Sequence, residues 1–382
     1  YITYYYLGLS YSKQKLYKQA LDALKKCVFL NSSFGLAHYE LGKIYDLVSN
    51  NDLAIQHYKL SRKNESFDDL NYRLGHIYYN NSLFIEAMNP LKDYIVNNLK
   101  DWETLEILGE TLMKIERYPE AIDIYSRLIE HNSNSDMYYY NLATAYYKLN
   151  DYDSAIQNYI MVNDLNDENH EVLVTIGTIL NKNNAFEKSE EYFLKALDCG
   201  YPDKELLTEL GISYGGQKKF MQSLIAFKEA LKFSLEDPII HYQIGIIYKE
   251  LKIFDLAINH FLFYLEKNQY DGITLFLIGE CHIKLNNYIF AIDYFNQSYK
   301  INNNIRALFN IGEAYEKLND SKNAAKYFKS VIKNNPDHVK ARIKLINIYL
   351  SLNKFREASK ECEIIYMLDR SQYNSITYCK AN

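Results

Sequence analysis

The stretch from Gly211 to Lys219 comes nearest to a nucleotide-binding motif in this 382-residue sequence. A phosphate-binding loop needs a lysine directly after its second glycine, then Ser or Thr, between a strand and a helix. Gln217 stands between Gly216 and Lys218, and the apolar residues around it follow a helical spacing. We therefore predict that the chain binds no cofactor there or elsewhere.

Two pairs of histidines are the next candidates for chemistry, because His38 and His57 are separated by the same interval as His241 and His260. A zinc site needs three or four convergent ligands. Further potential ligands, by proximity in sequence alone, are His76, Cys281 and His282. Both pairs occupy the same two positions, 4 and 23, of the repeat described below, and aromatic residues are expected at position 4. We interpret them as packing residues and predict no metal site.

Catalytic groupings are missing from the sequence pattern. Carboxylates are plentiful, with 48 Asp and Glu, but no pair stands apart from what a solvated helix face would show. No Ser/His/Asp or Cys/His grouping occurs at a motif spacing, and a uniform repeat leaves no irregular segment for a triad, which is recognised by its geometry. We predict that the chain is not an enzyme and has no catalytic residues.

The cysteines are widely scattered and form no CxxC pair, which argues against a disulfide framework or a zinc site. They are Cys27, Cys199, Cys281, Cys362 and Cys379. This usage fits a reducing compartment and favours a cytoplasmic location. Because the chain begins at Tyr1 and not at Met, a targeting segment could precede it, and a periplasmic or envelope-associated location stays open.

Composition and charge narrow the classes of partner. The chain is 48% hydrophobic and 24% charged, which is typical of a folded protein. The net charge is -5 and no basic block occurs, so nucleic acid is not an expected partner. No run approaches 18 uncharged apolar residues, so we expect no membrane insertion.

Glycine recurs at intervals of 33 or 34 residues, with Ala143 in the one gap. The recurring glycines are Gly8, Gly42, Gly75, Gly109, Gly177, Gly211, Gly245, Gly279 and Gly312. Gly destabilises a helix by roughly 1 kcal/mol relative to Ala. A residue this scarce and unfavourable needs a packing reason, and the simplest is a close approach of two helix backbones.

A second small residue follows each glycine position after twelve residues, counting the last unit from Ile346. The set is Ala20, Ala54, Ala87, Ala121, Ala155, Ser189, Ser223, Ala257, Ala291, Ala324 and Ala358. The repeat length varies only outside this interval, near Arg62–Asp69 and Lys300–Arg306. We therefore predict a helical hairpin of fixed length and a variable loop between hairpins.

These positions resemble the tetratricopeptide repeat family, which has Leu-Gly at repeat positions 7 and 8, Tyr at 11, a small residue at 20 and an aromatic residue at 24; Gly8 is position 8 here. The resemblance implies an all-α fold, a right-handed α-solenoid superhelix of about eleven helix–turn–helix repeats. Each repeat has a helix A and a helix B. One departure is Ile346 in place of the last glycine.

We predict a single continuous array over residues 1–370. The repeats are expected to start near residues 1, 35, 68, 102, 136, 170, 204, 238, 272, 305 and 339. Residues 371–382 continue in phase, with Tyr373, Ile376 and Cys379 at helical spacing. We interpret them as the start of a further helix or a truncated repeat.

The resemblance also implies a concave ligand groove lined by helix A, chiefly by repeat positions 2, 5, 6, 9, 12 and 13. Position 5 is rich in aromatic residues, which provide large amphipathic contact area. We expect groove contacts from Tyr5, Tyr39, Tyr72, Tyr140, Tyr242, Phe276 and Phe309. The alternative is that Tyr is simply the residue this family favours at position 5.

Charge distinguishes the repeats from one another. The fourth repeat has Glu103, Glu106 and Glu110 at positions 2, 5 and 9, which predicts an acidic patch on one helix face. Glu280 and Glu313 occupy position 9 of the ninth and tenth repeats. A partner with apolar anchors and basic residues would suit the fourth repeat, although a solvated helix face explains the same pattern.

Two ligand modes known in the family are disfavoured. In the position where a carboxylate clamp has Asn, this chain has Glu280, which would repel a terminal carboxylate. The asparagine ladder of sugar-transferase arrays is missing, because position 6 is Asn only at Asn141 and Asn310.

The expected function is a non-catalytic scaffold or adaptor that holds a peptide or partner subunit on its concave helix-A surface. It would be a subunit or fragment of a larger assembly, for example ciliary or flagellar, cell-division or secretion machinery. One alternative is a regulatory region of a larger enzyme such as a glycosyltransferase. Another is an architectural spacer that assembles end to end.

Overall fold

The structure is a computed structural model that describes residues 1–64, 69–166, 169–200, 202–376 and 378–379. Helices and short turns make up this part of the chain, which contains no β-strand. Helices α1 to α22 alternate as A and B helices, eleven of each. No described helix is long and apolar enough to cross a membrane.

The A helices are α1 (Ile2–Lys13), α3 (Gly35–Leu47), α5 (Leu70–Asn80), α7 (Trp102–Lys114), α9 (Asp136–Lys148), α11 (His170–Lys182), α13 (Lys204–Gly216), α15 (Pro238–Glu250), α17 (Gly272–Lys284), α19 (Ile305–Lys317) and α21 (Val339–Ser351). The B helices are α2 (Tyr17–Leu30), α4 (Asn51–Asn64), α6 (Phe84–Asn97), α8 (Tyr118–His131), α10 (Tyr152–Leu165), α12 (Phe186–Asp198), α14 (Phe220–Leu231), α16 (Phe254–Lys267), α18 (Tyr288–Asn302), α20 (Ser321–Asn334) and α22 (Phe355–Leu368). A short helix, α23, covers Arg370–Ser375.

The turn from helix A to helix B has one geometry in every hairpin. In the first, Lys15 has a φ of 59°, the Leu16 amide donates to the Tyr11 carbonyl at 2.9 Å, and the Lys15 amide donates to the Ser12 carbonyl at 2.9 Å. This is the Schellman ending of a helix, with a left-handed residue that is usually Gly or Asn. The equivalent left-handed residues are Ser49, Ser82, Glu116, Asn150, Asn184, Lys218, Lys252, Asn286, Asn319 and Asn353.

The recurring glycine makes room for a large side chain at position 24. A Cβ added at Gly245 would lie 2.7 Å from Cε1 of Phe261, and one added at Gly42 would lie 2.5 Å from Cδ1 of Tyr58. The expectation of a backbone-to-backbone approach was therefore wrong in its detail, because the closest neighbour is a ring from helix B. The ring needs the space that a Cβ would occupy.

Contacts between Cα atoms divide the chain into two compact units, Tyr1–Ile179 and Leu180–Asn382. In the first, one apolar core runs through successive hairpins from Ala20 to Leu142. In the second, the cores centre on the position-24 rings. The single continuous array stays a prediction, and its proposed repeat start at residue 68 lies outside the described residues.

The C-terminal segment contains a disulfide that the sequence reasoning rejected. Cys362 on α22 is bonded to Cys379, with their Cα atoms 5.5 Å apart. The Tyr373 hydroxyl donates to the Cys379 carbonyl at 2.6 Å. The wide spacing of the cysteines in sequence did not exclude a disulfide. The chain reverses after α22 and brings together two cysteines that are 17 residues apart.

Candidate functional site

The aromatic residues at position 5 pack on the rings at position 24 of the same hairpin. The ring centroids are 6.0 Å apart for Tyr39 and Tyr58, 5.8 Å for Tyr140 and Tyr159, 5.9 Å for Tyr242 and Phe261, 5.2 Å for Phe276 and Phe295, and 5.5 Å for Phe309 and Phe328. Exposure differs along the set, from 6% for Phe276 to 38% for Tyr140. Packing thus covers part or nearly all of each ring, and only some of the predicted contact residues are open to a ligand.

The remaining two aromatic residues of that set contact other neighbours. Tyr5 lies edge-on to Phe34, with ring centroids 5.2 Å apart. Tyr72 packs on His76 at 4.0 Å between centroids. Both are half-buried. The His76 imidazole also contacts the Thr104 hydroxyl at 3.2 Å, and burial lowers the pKa of His76.

Glu103, Glu106 and Glu110 all belong to α7, at spacings that place them on one face of the helix. Glu103 is exposed, and Glu106 and Glu110 are half-buried. The Tyr138 hydroxyl donates to Glu106, and the Tyr79 hydroxyl donates to Glu110. No ion pair to these three carboxylates is formed by the described part of the chain. Their negative charge is therefore not neutralised by a neighbouring cation.

The hydrogen bonds to these carboxylates help to raise the pKa of both tyrosines. The hydrogen bond to Glu110, followed by burial, raises the pKa of Tyr79 to about 12. Burial, followed by the hydrogen bond to Glu106, raises the pKa of Tyr138 to about 12. Both phenols thus remain protonated donors at neutral pH, and each uses its one hydrogen on a glutamate.

Tyr125 is the aromatic residue at position 24 of this hairpin, and the sequence analysis did not single it out as a site residue. It is 1% exposed, and its hydroxyl has no hydrogen-bond partner. Its Cζ would lie 3.0 Å from a Cβ at Gly109, so the ring crosses α7 at the glycine between Glu106 and Glu110. Burial raises its pKa, and the Glu110 and Glu106 charges raise it further.

A second candidate region is an open cavity of about 690 Å³ in the second unit. Consecutive A helices α15, α17, α19 and α21 contribute to its lining. Among the lining residues are Lys249, Glu280, Ile283, Asn310, Glu313 and Lys344. It includes two glutamates that the sequence analysis named, and it adds the lysines that face them.

Ion pairs connect successive A helices along this cavity. Lys249 Nζ lies 2.8 Å from Glu280 Oε2. Lys344 Nζ lies 3.4 Å from Glu313 Oε1 and 2.6 Å from Glu316 Oε2. Burial disfavours the charge on Lys344, but the hydrogen bond to Glu316 and the two carboxylates raise its pKa overall. Glu280 and Glu313 are thus partly neutralised, unlike the glutamates of α7.

The paired histidines form hydrogen-bonded contacts inside two hairpins. His38 Nδ1 lies 2.9 Å from His57 Nδ1, and His241 Nδ1 lies 2.9 Å from His260 Nδ1. In each pair the first histidine contacts a loop carbonyl through Nε2, at 3.0 Å for Ser32. Burial, followed by the charge of the partner histidine, lowers the pKa of His57 and of His260 to about 4.

The glycine-rich stretch of α13, the possible metal ligands and Cys281 are the other candidates for chemistry that the sequence offered. Gly211 to Gly216 lie within α13, and a Cβ at Gly216 would meet the ring of Phe186 at 2.5 Å, so this stretch forms no phosphate loop. Among the described residues, no three His, Cys, Asp or Glu converge as metal ligands. Burial raises the pKa of Cys281 to about 11, which keeps its thiol protonated.

Profiles of the tetratricopeptide repeat match the sequence in several places. They cover residues 3–28 and 306–338, residues 106–161 and 140–203, and residues 274–305. Among curated proteins, none matches the chain. The chain is also similar to several solved structures, all at less than 25% sequence identity.

One of these is YrrB, a TPR protein with an unusual peptide-binding site (17% identity, 48% of this chain and 94% of that chain, TM-score 0.42). Another is Naa15/Naa10 bound to HypK-THB (13% identity, 98% and 64%, TM-score 0.49). A third is yeast Tom70 (14% identity, 100% and 95%, TM-score 0.39). Profiles of this one repeat thus match three separate parts of the chain, residues 3–28, 106–203 and 274–338, and this chain belongs to the tetratricopeptide repeat family.

Proposed function

We propose that the chain is a non-catalytic scaffold that holds an extended segment of a partner protein on its A helices. Members of this family generally mediate protein–protein interactions. The observation that supports this proposal most directly is the cavity along α15, α17, α19 and α21, which is about 690 Å³ in volume. That volume is within the range of clefts that hold a drug-sized ligand, which is comparable to a short stretch of peptide.

The walls of this cavity suit a peptide better than a small apolar molecule. Ion pairs such as Lys249–Glu280 hold neighbouring A helices in register and present charged groups at the surface. Ile283 adds a half-buried apolar contact between them. Lys284 and Lys317 are exposed at the edge of the cavity and form no recorded ion pair in the described part of the chain. We therefore infer that the bound segment has acidic residues beside an apolar anchor.

The test is capture of partners by the immobilised chain from an extract of the source cell, followed by mass spectrometry. The charge-reversal variant Lys284→Glu/Lys317→Glu should lose the captured partner at least about fivefold, because two cations at the cavity become anions. The matched control is Lys188→Glu/Lys322→Glu, which reverses two exposed lysines on B helices. Equal recovery by the wild type and both variants would contradict binding in this cavity.

A further inference from the structure

We propose that the α7 surface of the first unit is a site for one cationic side chain, Arg or Lys, of a partner protein. This inference rests on the proposed scaffold function and specifies the chemistry of a second contact. The site consists of Glu106 and Glu110, the tyrosines that donate to them, Tyr79 and Tyr138, and the buried hydroxyl of Tyr125 beneath.

The charge of the site is one argument for a cation. Glu106 and Glu110 are one helical turn apart on the same face, and like charges at this spacing repel each other. No described lysine or arginine pairs with either. The nearby His76 supplies no compensating charge at neutral pH, because burial lowers its pKa. A bound cation would remove the repulsion.

The unpaired hydroxyl of Tyr125 is an independent argument. A buried polar group without a partner is destabilising, so such groups are rare unless a ligand or water completes them. The Tyr125 ring lies against Gly109, which stands between Glu106 and Glu110 in α7, and the charges of both glutamates act on its hydroxyl. The site thus combines two carboxylates with a buried, unpartnered hydroxyl beneath the helix that carries them.

The number of donors and acceptors at the site favours an organic cation over a metal ion. Tyr79 and Tyr138 have already used their hydrogens on the glutamates, so the oxygens of the site that remain available are mainly acceptors. A guanidinium group has five N–H donors and an ammonium group has three. Divalent cations prefer six or more oxygen ligands, and the described residues offer no set of three acidic or histidine ligands here. An organic cation matches the site better.

The experiment is a titration of the full chain, labelled with ¹³C at tyrosine Cζ, with small probes. The probes are the N-acetyl methylamides of arginine, lysine and citrulline, and MgCl₂. We expect a saturable shift of the Tyr79, Tyr125 and Tyr138 signals with arginine or lysine, and binding at least about fivefold weaker with citrulline, a neutral analogue of arginine. The stronger of the two cationic probes identifies the preferred residue.

Glu106→Gln/Glu110→Gln keeps acceptors for Tyr79 and Tyr138 but removes the charge, and it should weaken cation binding at least about tenfold. Glu187→Gln/Glu191→Gln on α12, two exposed glutamates at the same spacing, should leave binding unchanged. Equal binding of arginine and citrulline, unchanged binding to the first variant, or a response to Mg²⁺ alone would overturn the proposal.

The probes need no partner protein, so this result is independent of the capture experiment on the cavity of the second unit. If no cationic probe binds but capture is specific, the cation site is contradicted and the scaffold function is supported. If a cationic probe binds but capture is not specific, the cation site is supported and binding in the cavity of the second unit is contradicted.

Discussion

Phe295 packs directly on the bare α-carbon of Gly279, where an added Cβ would lie 2.6 Å from its Cε1. The last hairpin has the opposite arrangement, with Ile346 at the glycine position and Cys362 at the ring position, both buried. A large residue at one of the two positions is thus accompanied by a small residue at the other. This explains why the last repeat tolerates the loss of its glycine.

Placing a large side chain at the glycine position and a small one at the ring position should therefore be better tolerated than changing the glycine position alone. We expect Gly279→Ile to destabilise its hairpin by about 1–3 kcal/mol through overpacking against the ring of Phe295. The double variant Gly279→Ile/Phe295→Cys should recover much of the lost thermal stability. Calorimetry of both variants checks this. A double variant that is less stable than the single one would show that the two volumes are not coupled.

Acid should weaken the hairpins that contain histidine pairs. The pKa of His57 and His260 is about 4 in the folded chain and ordinarily about 6.5. The unfolded chain therefore binds more protons as pH falls from 6.5 towards 4, and stability present at pH 7 is lost across this range. We expect a loss of about 1–2 kcal/mol per pair between pH 7 and pH 5, measured by urea unfolding.

A control for the first pair exists within the chain. The fourth hairpin has Leu105 and Ile124, both buried, at the positions of His38 and His57. The variant His38→Leu/His57→Ile should keep the hairpin folded and remove its part of the acid sensitivity. If the dependence on pH were the same in this variant, the histidine pair would not be its cause.

Two buried tyrosines should respond in opposite directions to loss of their hydroxyl. The Tyr125 hydroxyl has no partner, whereas the Tyr159 hydroxyl lies 3.0 Å from the Thr144 hydroxyl. We expect Tyr125→Phe to be neutral or to stabilise the protein by about 1 kcal/mol, and Tyr159→Phe to destabilise it by a similar amount. Thermal midpoints of the two variants provide the comparison. A strongly destabilised Tyr125→Phe would mean that the hydroxyl has an internal partner.

Reduction of the Cys362–Cys379 disulfide should loosen the C-terminal segment alone. A cross-link that closes a loop of this length stabilises a chain by about 3 kcal/mol in the entropic description. Because hairpins in such arrays contact mainly their neighbours, the effect should remain near α22 and α23. Hydrogen exchange with and without dithiothreitol measures it, with Cys362→Ser/Cys379→Ser as the variant that should not respond. Uniform loss of protection along the whole chain would contradict a local role.

The helical hairpins follow from the order of the residues alone, because local periodicity is enough to define them. The interval from position 8 to position 20 and the residues that end helix A required no knowledge of distant contacts. The acidic face of α7 followed in the same way, since Glu103, Glu106 and Glu110 share one face of any helix.

Which groups meet across helices became clear from the three-dimensional packing. Tyr125 has the repeat position of a core residue, and the structure shows that its ring crosses α7 at Gly109 with its hydroxyl unpartnered. The Cys362–Cys379 bond and the Lys249–Glu280 pair likewise join side chains from different helices or segments. Periodicity specifies the face on which a side chain lies, whereas a hydrogen bond or an ion pair depends on distances of a few ångströms that packing alone sets.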